Sequence, residues 1–214
     1  MKLKVCGMRT PDNIARVGKL SLDFMGFIFY PESKRYVGDN FEVSTFESLP
    51  ESIKKVGVFV NEKPTVILEK ARKYNLDYVQ LHGGESLEDC IFLKETGIEI
   101  IKVFSVQNNL PINELERFSE VVDFFLFDTQ SSGFGGSGKK FDWSILEKYS
   151  GNTPYFLSGG IDIDDIEHIF SLNLPGLCFL DVNSKFEISP GLKDVDKLEE
   201  LVLRLDKDSS LEEI

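Results

Sequence analysis

Eight short runs rich in β-branched and aromatic residues recur along this chain, each followed by a stretch with helical spacing, and this alternation limits the fold more than any other feature. The runs are Leu3–Cys6, Phe24–Phe29, Lys55–Val60, Tyr78–Leu81, Glu99–Phe104, Val122–Phe127, Pro154–Leu157 and Leu177–Leu180. Between them apolar residues return at helical intervals, as in Ile14/Val17, Val66/Ile67/Ala71/Tyr74, Leu115/Phe118, Ile145/Leu146 and Ile166/Ile169/Phe170, and a last stretch runs through Leu198/Leu201/Val202/Leu205. Strict βα alternation calls for a parallel sheet covered by helices. Over 214 residues it predicts a single (β/α)8 TIM barrel, although the strand count also suits a doubly wound sheet. Thr10-Pro11 and Pro64 open two of the helices, and Asp162 or Asp164 caps the seventh. The weakest helix is the second, Val43–Leu49, short and poor in helix formers. The expected catalytic domain spans 1–206, with 207–214 as a polar, acidic tail that frays.

Charge narrows the function. Lys and Arg number 24 against 36 Asp and Glu, a net charge of −12, which disfavours nucleic acid and anionic membrane as partners. The N-terminal residues enter a strand-like run without the apolar stretch of a signal peptide, and no segment approaches a membrane span, so a cytoplasmic protein is expected. Cys6, Cys90 and Cys178 are odd in number and lack C-x-x-C spacing, and only His82 and His168 accompany them; neither disulfides nor a metal site is indicated. Monomer and homodimer both fit such a barrel.

In a (β/α)8 barrel chemistry gathers where strands give way to helices, and the unusual residues fall there. Cys6 ends strand one and shares side-chain parity with Lys4, whose ammonium would favour a thiolate. Arg35 lies in the loop after strand two and His82 ends strand four. Asp128 ends strand six and shares parity with Leu126 and Phe124; partial desolvation there would raise its pKa toward that of a useful acid. Ser158-Gly159-Gly160 follows strand seven, and Asp181 with Asn183-Ser184 follows strand eight. After Asp128 comes the glycine-dense stretch Thr129–Lys140, whose backbone N–H groups suit an anion. Gly133–Lys139 also matches G-x-x-x-x-G-K, but Lys140 stands where a nucleotide-binding loop needs a Ser or Thr hydroxyl for Mg²⁺. Gly159-Gly160, just before a helix, supplies further donors. A carboxylate beside a phosphate cradle points to an enzyme acting on a phosphorylated small molecule.

With these residues in view, nearly the whole chain resembles the phosphoribosylanthranilate isomerase family of tryptophan biosynthesis. The resemblance is carried by KVCGMR at Lys4–Arg9, GFIFYPESKRYV at Gly26–Val37, VGVFVNE at Val56–Glu62, VQLHG at Val79–Gly83, FDT with GFGGSGKKFDW between Phe127 and Trp143, LSGGI at Leu157–Ile161, and DVNSKFE with PGLKD between Asp181 and Asp194. It implies a (β/α)8 barrel performing an Amadori rearrangement of N-(5-phosphoribosyl)anthranilate without cofactor or metal. Carried over by motif, Cys6 would be the general base and Asp128 the general acid; Arg35 would hold the anthranilate carboxylate, with His82 and Asp181 beside the substrate. Gly136, Ser137, Gly138, Gly159, Gly160, Asn183 and Ser184 would receive the phosphate. The chain departs from the family pattern DVSSGVE at Asn183 and Lys185. A related ribonucleotide isomerase of histidine biosynthesis, with aspartate expected where Cys6 stands, and a phosphate-binding barrel without turnover are the alternatives.

Overall fold

The computed structural model describes residues 1–129 and 140–209. Eight parallel strands close into a barrel in chain order: β1 (Lys2–Val5), β2 (Phe24–Ile28), β3 (Lys54–Phe59), β4 (Tyr78–Leu81), β5 (Glu99–Val106), β6 (Phe124–Thr129), β7 (Tyr155–Leu157) and β8 (Leu177–Val182). Closure is made by β1 against β8, with Lys4 opposite Asp181. The doubly wound alternative is thereby excluded. Three strands run further than their apolar runs suggested, β5 to Val106, β6 to Thr129 and β8 to Val182, so that Asp128 and Asp181 lie within β6 and β8. Ladder hydrogen bonds to the neighbouring strands carry the extra residues, whatever their side chains.

The crossovers are α1 (Pro11–Val17), α2 (Pro64–Tyr74), α3 (Leu87–Lys94), α4 (Ile112–Phe118) and α5 (Ile166–Ser171), with α6 (Val195–Ser209) closing the ring. Proline stands at the first turn of α1 and α2, where its missing N–H costs nothing. Asp162 caps the seventh crossover in a reciprocal box with Asp165. The weak second crossover tightens to a 3₁₀ turn over Val43–Phe46. Ile145/Leu146, expected as an ordinary helix, also sits in a 3₁₀ segment, Trp143–Lys148, begun by the Asp142 side chain accepting from Ser144 N–H. Because α6 reaches Ser209, the first three residues expected as tail are helical. Among the described residues no helix is long and apolar enough to cross a membrane.

Side-chain alternation splits the strands into two cores. One parity packs against the helices, as Leu3, Val5, Phe27, Phe59, Phe125, Phe127 and Leu180 do. The other fills the barrel with Phe24, Val56, Ile101, Val103, Leu126, Phe156 and Phe179, joined by Tyr78 and Phe124. Phe156 stacks on Phe179 at 4.2 Å between centroids, and Phe24 meets both edge-on at 5.2 and 5.1 Å. Each such pair contributes about 0.5–1.5 kcal/mol beyond its buried area. This aromatic plug blocks the lower barrel, so inward residues nearer the C-terminal strand ends form the floor of a cleft.

A small antiparallel hairpin, β9 (Glu187–Ser189) with β10 (Leu192–Lys193), stands beside that cleft. No signal in the strand spacing announces it. Its turn uses Gly191 at φ +84, and a Cβ there would stand 3.0 Å from Arg9 Cδ.

Candidate active site

Above the plug, successive inward positions carry polar groups. Lys4 and Cys6 come from β1 and its end, Gln80 from β4, Asp128 from β6, Ser158 from just after β7, and Asp181 from β8. Lys4 is buried beneath the others, and with Arg35, His82, Gly159, Gly160, Asn183 and Ser184 those others line one cleft of about 720 Å³, counting its open mouth. Every expected site residue among the described ones is therefore brought together. Gly136, Ser137 and Gly138 lie outside the described residues, as does the glycine-rich P-loop look-alike.

Cys6 is buried, its N–H donating to Val182 O at 2.9 Å across the β1–β8 seam. Lys4, wholly buried, places Nζ 2.8 Å from Asp181 Oδ1, a contact set by their opposite register. Burial works to lower the Lys4 pKa, but Asp181 and Cys6 outweigh it and the net shift is upward. Ser158 Oγ donates to the second Asp181 oxygen at 3.3 Å.

The expected bias toward a Cys6 thiolate is reversed in this state. Burial pushes the thiol up more than the Lys4 and Lys193 ammoniums pull it down, and Asp181 adds to the rise. Sequence parity located the cation correctly but carried no measure of the lost hydration.

Room for the sulfur comes from Gly26 on the neighbouring strand, where a Cβ would stand 2.8 Å from Cys6 Sγ and 3.1 Å from Cys6 Cα. We expect Gly26→Ala to lower stability by about 1–3 kcal/mol, the usual cost of overpacking. It should also lower kcat/KM roughly tenfold or more, since a displacement of about 1 Å has large catalytic effects. Thermal unfolding and turnover of the same preparation check both; wild-type turnover would mean that the sulfur's seat is not set here.

Asp128 Oδ1 accepts from Thr129 N–H at 2.8 Å, while Oδ2 lies 3.4 Å from His82 Nε2. Gln80 Nε2 stands 3.2 Å from the other ring nitrogen, so with Gln80 donating, His82 turns an N–H toward the carboxylate. The loop bearing His82 is itself anchored: Glu85 accepts from the N–H groups of Asn61 and Gly83, and Lys102 Nζ, 2.9 Å from Glu85, also donates to Gly83 O at 2.8 Å. Gly159 passes so close that a Cβ would meet Thr129 Oγ1 at 2.3 Å, and both Gly159 and Gly160 have positive φ, +95 and +70. These glycines bring backbone against the acid and lead into the Asp162-capped turn.

Arg35 is held by Glu187, Nε at 2.9 Å from Oε1 and Nη2 at 2.7 Å from Oε2. Burial acts to raise the Glu187 pKa, but Arg35 and Lys193 outweigh it and hold the carboxyl below its ordinary range. Ile28, Val58 and Val60 give the same cleft an apolar wall. Gln80, Glu187 and Lys193 were not singled out by sequence reasoning. Gln80 follows the inward parity of β4 and was findable; the other two depend on the hairpin.

A family model described as N-(5'phosphoribosyl)anthranilate (PRA) isomerase matches residues 3–204. A relative from Parabacteroides distasonis named N-(5'-phosphoribosyl)anthranilate isomerase is 48% identical over 206 residues, covering 96% of this chain and 93% of the relative. The solved phosphoribosyl anthranilate isomerase of Thermotoga maritima superposes with a TM-score of 0.86 at 33% identity, over 97% of this chain and 99% of that one. A phosphoribosyl anthranilate isomerase solved in complex with reduced 1-(o-carboxyphenylamino)-1-deoxyribulose 5-phosphate gives 0.83 at 31% identity, with the same coverage.

Proposed function

Since this chain belongs to the N-(5'-phosphoribosyl)anthranilate isomerase family, we propose that its cleft carries out the family's Amadori rearrangement with Cys6 as general base and Asp128 as general acid. The observation that carries this reading is that a buried thiol and a buried carboxylate, 122 positions apart in sequence, face one cleft from just past the end of β1 and from β6.

The chemistry needs those two groups and their separation. Asp128 gives its proton to the furanose ring oxygen as the C1′–O bond breaks, leaving an iminium and a free 4′-hydroxyl. The Cys6 thiolate then takes the proton from C2′, and its C–H electron pair forms the enolamine, which tautomerises to the aminoketone. Each positioned acid or base contributes typically 10²–10⁴-fold. His82 steadies Asp128, and Asp181 holds the Lys4 ammonium beneath the sulfur.

Binding divides between the two ends of the substrate. Arg35 offers the edge not taken by Glu187 to the anthranilate carboxylate, while Ile28, Val58 and Val60 flank the ring. The N–H groups around Gly159-Gly160 and Ser184, with the Asn183 amide, receive the phosphate at the far end. A phosphorylated anion of this kind does not cross membranes unaided, which fits a cytoplasmic enzyme. The direct test follows the anthranilate-type fluorescence of phosphoribosylanthranilate: purified protein should abolish it without added metal or cofactor, and persistent fluorescence would refute the assignment.

A further inference from the structure

One wholly buried charge beside the cleft has contacts that its pull on the Cys6 thiol does not account for. It is Lys193, in β10, whose side chain is 0% exposed. Its Nζ donates to Glu187 Oε1 at 2.7 Å, to Asn183 Oδ1 at 2.6 Å and to Asn183 O at 3.2 Å. Glu187 is the residue that holds Arg35, and Asn183 lines the proposed phosphate end. One ammonium thus touches the support of one subsite and a donor of the other.

Its position is imposed from outside the cleft. Asn13 on α1 donates from Nδ2 to Lys193 O at 3.0 Å and accepts Lys193 N–H on Oδ1 at 2.8 Å. Asn13 is itself buried, so this two-point clamp is shielded from competing water. The burial is unfavourable for the cation: it lowers the Lys193 pKa to about 8 even with Glu187 alongside.

We infer that Lys193 is a positioning residue that sets both ends of the cleft at once, fixing the Arg35 plane through Glu187 and the Asn183 amide through its own hydrogen bond. An ammonium can only donate. The Asn183 atom beside it must therefore be the oxygen, which turns the amide's NH₂ branch away from Lys193 as a donor. Unlike a hydroxyl, which rotates to suit, the Asn183 amide has two ends that differ, and Lys193 decides between them. Glu187 bonds Arg35, Lys193 and the Gly191 N–H but makes no hydrogen bond to Asn183.

This inference rests on the isomerase reading, and the two fail separately: absent wild-type turnover refutes the reading before any variant is made. The test measures competitive inhibition of turnover by anthranilate and by inorganic phosphate. Lys193→Met should weaken both inhibitors about tenfold, raising KM much more than it lowers kcat. Glu187→Gln, whose remaining oxygen can still accept from Lys193 while its amide nitrogen cannot accept from Arg35, should weaken anthranilate alone. Asn13→Ala, which leaves every cleft side chain in place, should weaken both to a smaller extent. If Lys193→Met lowers the melting temperature while both inhibition constants stay within twofold of wild type, Lys193 is only a buried strut and the inference is overturned. Should that variant not fold, Asn13→Ala decides: paired weakening supports the inference, and unchanged constants overturn it.

Discussion

Cys6→Ala is expected to lower kcat/KM by about 10³–10⁴, near the upper end for one positioned base, while the protein stays folded. The side chain is small and buried beside Gly26, so its removal leaves little void. Cys6→Ser is the sharper control, since it fills the same space with a group that does not ionise in the working pH range. It too should be nearly inactive, and substantial turnover by either variant would remove Cys6 from the base role. The wild-type pH profile gives an independent check. Because burial raises the thiol above its ordinary pKa, the thiolate is a minor form at neutral pH, and its fraction grows about tenfold per unit as pH rises toward the pKa. Activity should therefore climb from pH 6 to 8, and a flat profile would contradict a thiolate base.

Asp128→Asn should cost roughly 10²–10⁴ in kcat, with KM little changed. The amide oxygen can still accept from Thr129 N–H, so the strand end and the path of Gly159 are preserved. What disappears is the transferable proton. Equal losses in kcat and kcat/KM mark an interaction made only in the transition state. A rise in KM with unchanged kcat would instead make Asp128 a binding residue, leaving the ring-opening acid unassigned.

The parts of the fold and site legible from sequence are those that depend on local periodicity. Strand spacing announced the barrel, and parity along Lys4–Cys6 and Phe124–Asp128 aimed the Cys6 and Asp128 side chains inward. The reach of β6 and β8 was not legible, because ladder hydrogen bonds extend a strand past its apolar run regardless of side chain. Nor was the clamp on Arg35: nothing in the strand spacing marks the hairpin, and Lys193 is held by Asn13, 180 positions earlier in the chain. The protonation preference of Cys6 escaped for a related reason, since the cation is visible in sequence while the lost hydration is a property of the whole fold.

The seam between β1 and β8 also sets an order of events during synthesis. The ribosome makes β1 before β8, and Lys4 meets Asp181 only when β8 docks. Until then the thiol has Lys4 beside it, but that ammonium lacks Asp181 and the Cys6 N–H lacks the Val182 carbonyl. Catalysis therefore begins at closure rather than accumulating strand by strand, and turnover reports that the first and last strands have met. Stalled chains ending before β8 should be inactive, and turnover by such a chain would show that the seam is dispensable.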